Sequence, residues 1–232
     1  MFRTEALWTM QPRTIKYSQR LGDVLRCLPA CKYLADQGHE VFFDCYAQYQ
    51  DAFEMVSYVK AGHRQGIIID LEIWPNKYEE YRKSKKQWHD FVYSHHSIRD
   101  ADKTNIVLDR LGKEPASGLP NEYNLVAPFG ISQGDRRNPI DIIQDCAKEF
   151  GRDSLVILCP PEFRIDGLRT YTAQTTADMA KAIRDANEFI CINSTPAVLA
   201  SAVRHGKQTR LYAQRGEFMQ DNIHQFDGLV MI

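Results

Sequence analysis

Three short stretches of this chain carry residue types that do chemistry, and each falls where a strand is expected to end and a helix to begin. The first is Gln19-Arg20-Leu21-Gly22-Asp23. Asp23 stands near the start of LGDVLRCLPACKYLADQG, residues 21–38. There Leu25, Leu28, Cys31 and Leu34 repeat at helical spacing, and Gly38 marks the C-terminal stop. A carboxylate at a helix start is stabilised by the unpaired amides, so Asp23 reads as a cap. The same place lets it face a ligand and accept a proton from an attacking hydroxyl. The second stretch runs from Gly130 through Ser132, Gln133, Gly134, Arg136 and Arg137 to Asn138. Free amides, a hydroxyl and two guanidinium groups suit a phosphorylated ligand, although neither the P-loop nor the dinucleotide glycine pattern is present. Two solvated arginines in an ordinary loop are the plain alternative. The third is Asn193-Ser194-Thr195-Pro196-Ala197, where hydroxyl residues precede a proline-started helix whose amides suit a pyrophosphate. Simple capping by Ser194 or Thr195 is the plain alternative.

The elements that must position these loops follow a strand–helix rhythm. Strands are expected at 14–18, 40–45 and 67–70, with the helix of residues 21–38 after the first. Residues 77–109 are charged and rich in Tyr, His and Lys, and read as two helical pieces. The segment LGKEPASGLPN, residues 111–121, is the best linker, because Gly, Pro and Ser cluster there. The rhythm then restarts, with strands at 124–129, 154–159, 188–193 and a final one at 208–212. Asn138 and Pro139 are the expected N-cap and first-turn proline of a helix ending at Gly151, and further helices are expected at 176–187 and 196–205. The fold class is therefore α/β, with two Rossmann-like domains, 1–118 and 119–232, facing each other across a cleft. Ligands in such sheets bind outside the carboxyl ends of the strands, where all three loops lie.

The chain has 232 residues, 44% hydrophobic and 25% charged, with a formal net charge of −1. That is an ordinary globular composition, and the chain as a whole lacks the basic excess of a non-specific nucleic-acid binder. No window approaches ~18 consecutive apolar residues, so no membrane span is expected. The first residues do not read as a signal peptide. The six cysteines form no CxxC pair and read as buried free thiols of a reducing cytoplasm.

The three loops, in this order, resemble the bacterial ADP-heptose–lipopolysaccharide heptosyltransferases, a glycosyltransferase family 9 type with the GT-B fold. Leu21-Gly22-Asp23-Val24-Leu25 followed by Leu28-Pro29-Ala30 is similar to that family's GDVL…LPAL signature. Ala127-Pro128-Phe129-Gly130, with Arg136-Arg137-Asn138-Pro139, is similar to its PGA…KRWP segment. Asn193-Ser194-Thr195-Pro196, with Leu199, Ala200, Gly206 and Lys207, is similar to its SDTGPMHLAAALGKP segment. His89 and the stretch from His95 to the LGKEP run resemble its interdomain connection. The family's Asp is Asn193 here, its Lys is Arg136, its Trp is Asn138, and its Gly after Thr is absent.

The resemblance implies an inverting, metal-independent glycosyltransferase moving a sugar from a nucleotide-diphosphate donor to an acceptor hydroxyl, with no cofactor. Asp23 is then the base. Gly22, Ser132, Gln133, Gly134, Arg136, Asn193, Ser194 and Thr195 are the donor-binding residues. A glycan or lipopolysaccharide-type glycolipid is the first expected acceptor; a hydroxylated DNA base, as in phage glycosyltransferases, is the second. A non-catalytic sugar-nucleotide binder is a different class. An epimerase or hydrolase on the same fold is another, and needs a second acid or base from Glu162, Asp166 or Glu217. The cluster Arg82-Lys83-Ser84-Lys85-Lys86, among Tyr78, Tyr81, Trp88 and Tyr93, reads as a solvated helix face or as an acceptor surface. Asp100-Ala101-Asp102 and His95-His96 are not expected to hold a metal.

Overall fold

The computed structural model describes residues 11–72, 76–130, 138–212 and 226–232. Among them the strands form two sheets, parallel in every described pairing. Arg13–Lys16 (β1), Val41–Asp44 (β2), Lys60–Ala61 (β3) and Ile67–Asp70 (β4) lie in the order β3-β2-β1-β4. Asn124–Ala127 (β5), Leu155–Leu158 (β6), Arg169–Tyr171 (β7), Phe189–Ile192 (β8), Thr209–Tyr212 (β9) and Leu229–Met231 (β10) lie in the order β10-β9-β8-β5-β6-β7. In each sheet the chain first builds outward on one side and then returns to the other side of its first strand. The reversal falls between β1 and β4 in one sheet and between β5 and β8 in the other. These are the crevices where an open parallel sheet receives a ligand. Every residue of β6 and β8 is buried, as inner strands of a parallel sheet covered on both faces require.

The expected helix over residues 21–38 is two helices, Leu21–Arg26 (α1) and Leu28–Asp36 (α2), joined at Cys27. Pro29 explains the break. It has no N–H to give the Leu25 carbonyl, and its ring crowds the preceding turn. The apolar stripe survives, with Leu25, Leu28, Cys31 and Leu34 all buried. Gly38 takes φ +86° beyond the C-cap, the left-handed conformation that closes a helix. Residues 77–109 hold two short helices, Tyr78–Ser84 (α3) and Trp88–Ser94 (α4). Asn138 accepts from the Ile140 amide at 3.0 Å and caps Pro139–Phe150 (α5), as its sequence predicts. Thr176–Asp185 (α6) and Thr195–Val203 (α7) follow. The strand expected at 208–212 is not the last, because β10 pairs beside it. The 3₁₀ helix Ala47–Met55 and the short β3 and β7 are additions to the expected elements.

The two sheets share packing. α1 lies against α7, and the 3₁₀ helix lies against α6. One buried apolar cluster runs from Ile15 and Leu25 through Trp88 to Leu199 and Leu211. Polar ties cross at the same level. The Thr176 amide donates to Asp51 Oδ2 at 2.6 Å, and Lys181 pairs with Glu114. A smaller apolar cluster, around Val126, Ile142 and Ile157, fills the space between α5 and its sheet.

Candidate active site

Asp23 sits in the first turn of α1, whose N-cap residue is Arg20 and which has no side-chain cap bond. Its carboxylate meets the side chain of Tyr17, the residue that follows β1. The Tyr17 hydroxyl donates to Asp23 Oδ2 at 3.2 Å, and Arg26 Nη1 lies 3.9 Å from Oδ1. A quarter of the Asp23 side chain (25%) stays exposed, so a ligand can reach it. Burial pushes this carboxyl above its ordinary value, against the pull of Arg26, Arg20 and the Tyr17 hydrogen bond. A carboxylate raised towards the working pH is what a general base needs.

The partners of Asp23 are themselves fixed. Tyr17 is fully buried and meets Trp88 edge-on, with ring centroids 5.2 Å apart. Arg26 is buried, lies over the Trp88 ring at 5.3 Å and donates through Nη2 to His89 Nδ1 at 3.0 Å. Burial and the Arg26 charge hold His89 down to about 4, so at neutral pH it is an uncharged acceptor. The Tyr93 hydroxyl donates to the Arg26 carbonyl at 2.8 Å. Helix α4 is thus the platform beneath Asp23.

The third loop starts α7. Ser194 is the N-cap residue but turns its hydroxyl to the Ile192 carbonyl at 3.2 Å, leaving the helix without a side-chain cap. The plain capping role of Ser194 is therefore corrected: its hydroxyl is committed to the end of β8. Asn193, Ser194 and Thr195 are half-buried. Arg204, at the far end of α7, fixes the helix by donating to the carbonyls of Ile183, Ala186, Asn187 and Gln208. Lys207 donates to the carbonyls of Arg184 and Ala186 and belongs to the same scaffold.

The loops converge. A Cβ built on Gly22 lies 3.4 Å from Thr195 Cα and Oγ1, and one built on Gly130 lies 3.4 Å from Ser194 Cβ and 2.9 Å from Ile192 Cδ1. The Asp23 loop therefore touches the start of α7, and the loop leaving β5 touches it at Ser194. Ser132, Gln133, Gly134 and Arg136 lie outside the described residues, as does Glu217. Glu162 and Asp166 are exposed on the loop between β6 and β7, and the Asp23 cluster is built without them.

The basic and aromatic surface of residues 78–93 divides in two. Tyr81, Trp88 and Tyr93 are buried core, while Arg82, Lys83, Lys85 and Lys86 are solvated. Asp102 of the Asp100-Ala101-Asp102 triplet accepts from the amide and hydroxyl of Thr104 in a turn, and His95 meets Glu80 at 3.3 Å. The six cysteines are free thiols, five of them buried. No helix among the described residues is long and apolar enough to cross a membrane. Sequence reading missed Tyr17, Arg26 and Glu72 as parts of the site. Glu72 had a usable signal, since it follows the strand IIID at its carboxyl end.

No family model and no curated protein matches the chain in sequence. Solved structures do match in fold. A glycosyltransferase family 9 protein of Veillonella parvula DSM 2008 superposes with a TM-score of 0.66 at 13% identity, over 97% of this chain and 86% of that one. TibC, an iron-containing dodecameric glycosyltransferase of enterotoxigenic E. coli H10407, matches at 0.68 and 15%, over 95% of this chain and 62% of its own. The E. coli heptosyltransferase WaaC, solved with ADP-2-deoxy-2-fluoro heptose, matches at 0.59 and 7%, over 95% and 92%. The chain has the fold of the family 9 glycosyltransferases and heptosyltransferases, as its three loop motifs suggested.

Proposed function

We propose that this chain is a nucleotide-sugar-dependent glycosyltransferase of the GT-B kind, with its site between the two sheets. The observation that carries the reading is the meeting of Gly22 with Thr195: it sets a carboxylate suited to proton removal beside an uncapped helix start suited to a diphosphate. The fold likeness to heptosyltransferases supports it. An acceptor hydroxyl attacks the anomeric carbon from the face opposite the leaving group, which inverts the configuration. The new C–O bond forms as the bond to the nucleotide diphosphate breaks, and the hydroxyl proton passes to Asp23. Charge growing on the leaving diphosphate is met by the backbone amides at the start of α7, in the stretch Asn193, Ser194 and Thr195. Ser132, Gln133, Gly134 and Arg136 act from the segment that joins Gly130 to α5. The step needs no bound metal, so a chelator leaves transfer intact; strong dependence on added Mg²⁺ or Mn²⁺ contradicts this part. A glycan or glycolipid hydroxyl is the proposed acceptor.

A thermal-shift panel of nucleoside diphosphates and nucleotide sugars tests the reading. A ligand at ~100 times its dissociation constant adds about 2.7 kcal/mol of stability, and one nucleotide sugar is expected to raise the melting temperature clearly. No shift with any member of the panel, with or without candidate acceptors, contradicts it.

A further inference from the structure

We propose that Glu72 is a positioning residue of the Asp23 site, latching the loop between β1 and α1 so that Tyr17 and Asp23 are held face to face. The inference rests on the reading of Asp23 as the base. Glu72 follows β4, and Ser18 follows β1, so the two stand on either side of the reversal point of the first sheet. Glu72 Oε1 accepts from both the Ser18 amide and the Ser18 hydroxyl, each at 2.7 Å. Its own amide is held by Asp70 Oδ1 at 3.0 Å. Ser18 is the neighbour of Tyr17, whose hydroxyl reaches Asp23. The line Glu72–Ser18–Tyr17–Asp23 therefore ties β4 to the base.

A latch alone does not need a carboxylate. Oε1 takes both Ser18 bonds, and an amide oxygen serves equally well for that. The second oxygen, Oε2, is buried with no hydrogen-bond partner, a costly arrangement for a merely structural acid. The retained charge has an evident use: it acts on Asp23 in the same upward direction as burial. Among the described residues, the other groups facing Asp23 are few. Arg20 and Arg26 pull its carboxyl down, and Tyr17 hydrogen-bonds it. Burial keeps the Cys27 thiol neutral. His89, hydrogen-bonded to Arg26, is uncharged, and α7 brings the uncharged Thr195 against Gly22. Glu72 thus adds a small upward push on Asp23, in the direction of burial and against the larger downward pull of the two arginines.

The test uses the full chain and needs no substrate. Carbon-13 aspartate labelling follows the carboxyl titrations, with Asp23→Asn assigning the Asp23 signal. Glu72→Gln keeps the acceptor for Ser18 and removes the charge, so the Asp23 midpoint is expected to fall; an unchanged midpoint in a folded Glu72→Gln chain overturns the tuning role. Ser18→Ala is the second variant, leaving the Glu72 charge in place and removing one latch bond. Faster amide exchange over residues 18–23 is expected, and wild-type protection there overturns the latch. Both readouts are independent of turnover. A shifted titration and faster exchange together with an undiminished Asp23→Asn turnover sink the base reading and leave both roles of Glu72 standing.

Discussion

Gly22 stands against Thr195, with only the width of a van der Waals contact between a Cβ on the glycine and the Thr195 Cα and Oγ1 (3.4 Å). One residue on from Gly22 is the carboxylate; Thr195 begins a helix that has no side-chain cap. Two loops from two different sheets are thereby brought to one place. Packing of α1 on α7 makes the contact, and the Arg204 bonds to four carbonyls keep α7 in line.

Tyr17→Phe removes the hydrogen bond to Asp23 and little else, since the ring stays packed on Trp88. That bond favours the ionised carboxylate, so its loss raises the Asp23 value further. The acid limb of the pH–rate profile is expected to move to higher pH, and stability is expected to fall by about 0.5–1.5 kcal/mol. Profiles that superimpose on the wild type contradict the contact.

His89 makes stability depend on pH in a defined direction. Its folded value, about 4, lies below the ordinary 6.5. Between these values the unfolded chain binds a proton that the folded chain refuses, so stability rises with pH through that window and is fully present above it. The size is about 3 kcal/mol at most. Asp23 acts oppositely, because its raised value lets the folded chain keep a proton just above pH 3.8, and that contribution is lost as pH rises. His89→Gln keeps an acceptor for Arg26 and is expected to flatten the slope of unfolding free energy between pH 4 and 6.5. A slope as steep as wild type removes His89 as its source.

Asp51→Ala takes a carboxylate away from the first amide of α6, across the junction of the two sheets. A cap of this kind contributes about 1 kcal/mol, and equilibrium denaturation is expected to show a loss of that order. Unchanged stability shows the contact to be idle.

Most of the framework was legible because local physics dictates it. Asn138 and Pro139 declared a helix start by side-chain chemistry alone, and the apolar runs LVIL and FICI declared buried parallel strands. Pro29 carried the signal for the break at Cys27, which the apolar stripe on both sides outweighed in reading. β10 was hidden because three residues with one partner strand leave almost no periodicity. At the site, Asp23 was legible from its neighbours in sequence. Tyr17, Arg26, His89 and Glu72 become parts of one cluster only when β1, β4 and α4 meet, a long-range fact that no local pattern records.

The most direct measurement of the central claim is sugar transfer or donor cleavage, followed by mass spectrometry, for the wild type and Asp23→Asn with the nucleotide sugar that raises the melting temperature. Asp23→Asn is expected to bind that donor with the same thermal shift and to lose turnover by about 10²–10⁴-fold, the usual contribution of a general base. Turnover in Asp23→Asn equal to wild type would contradict the account.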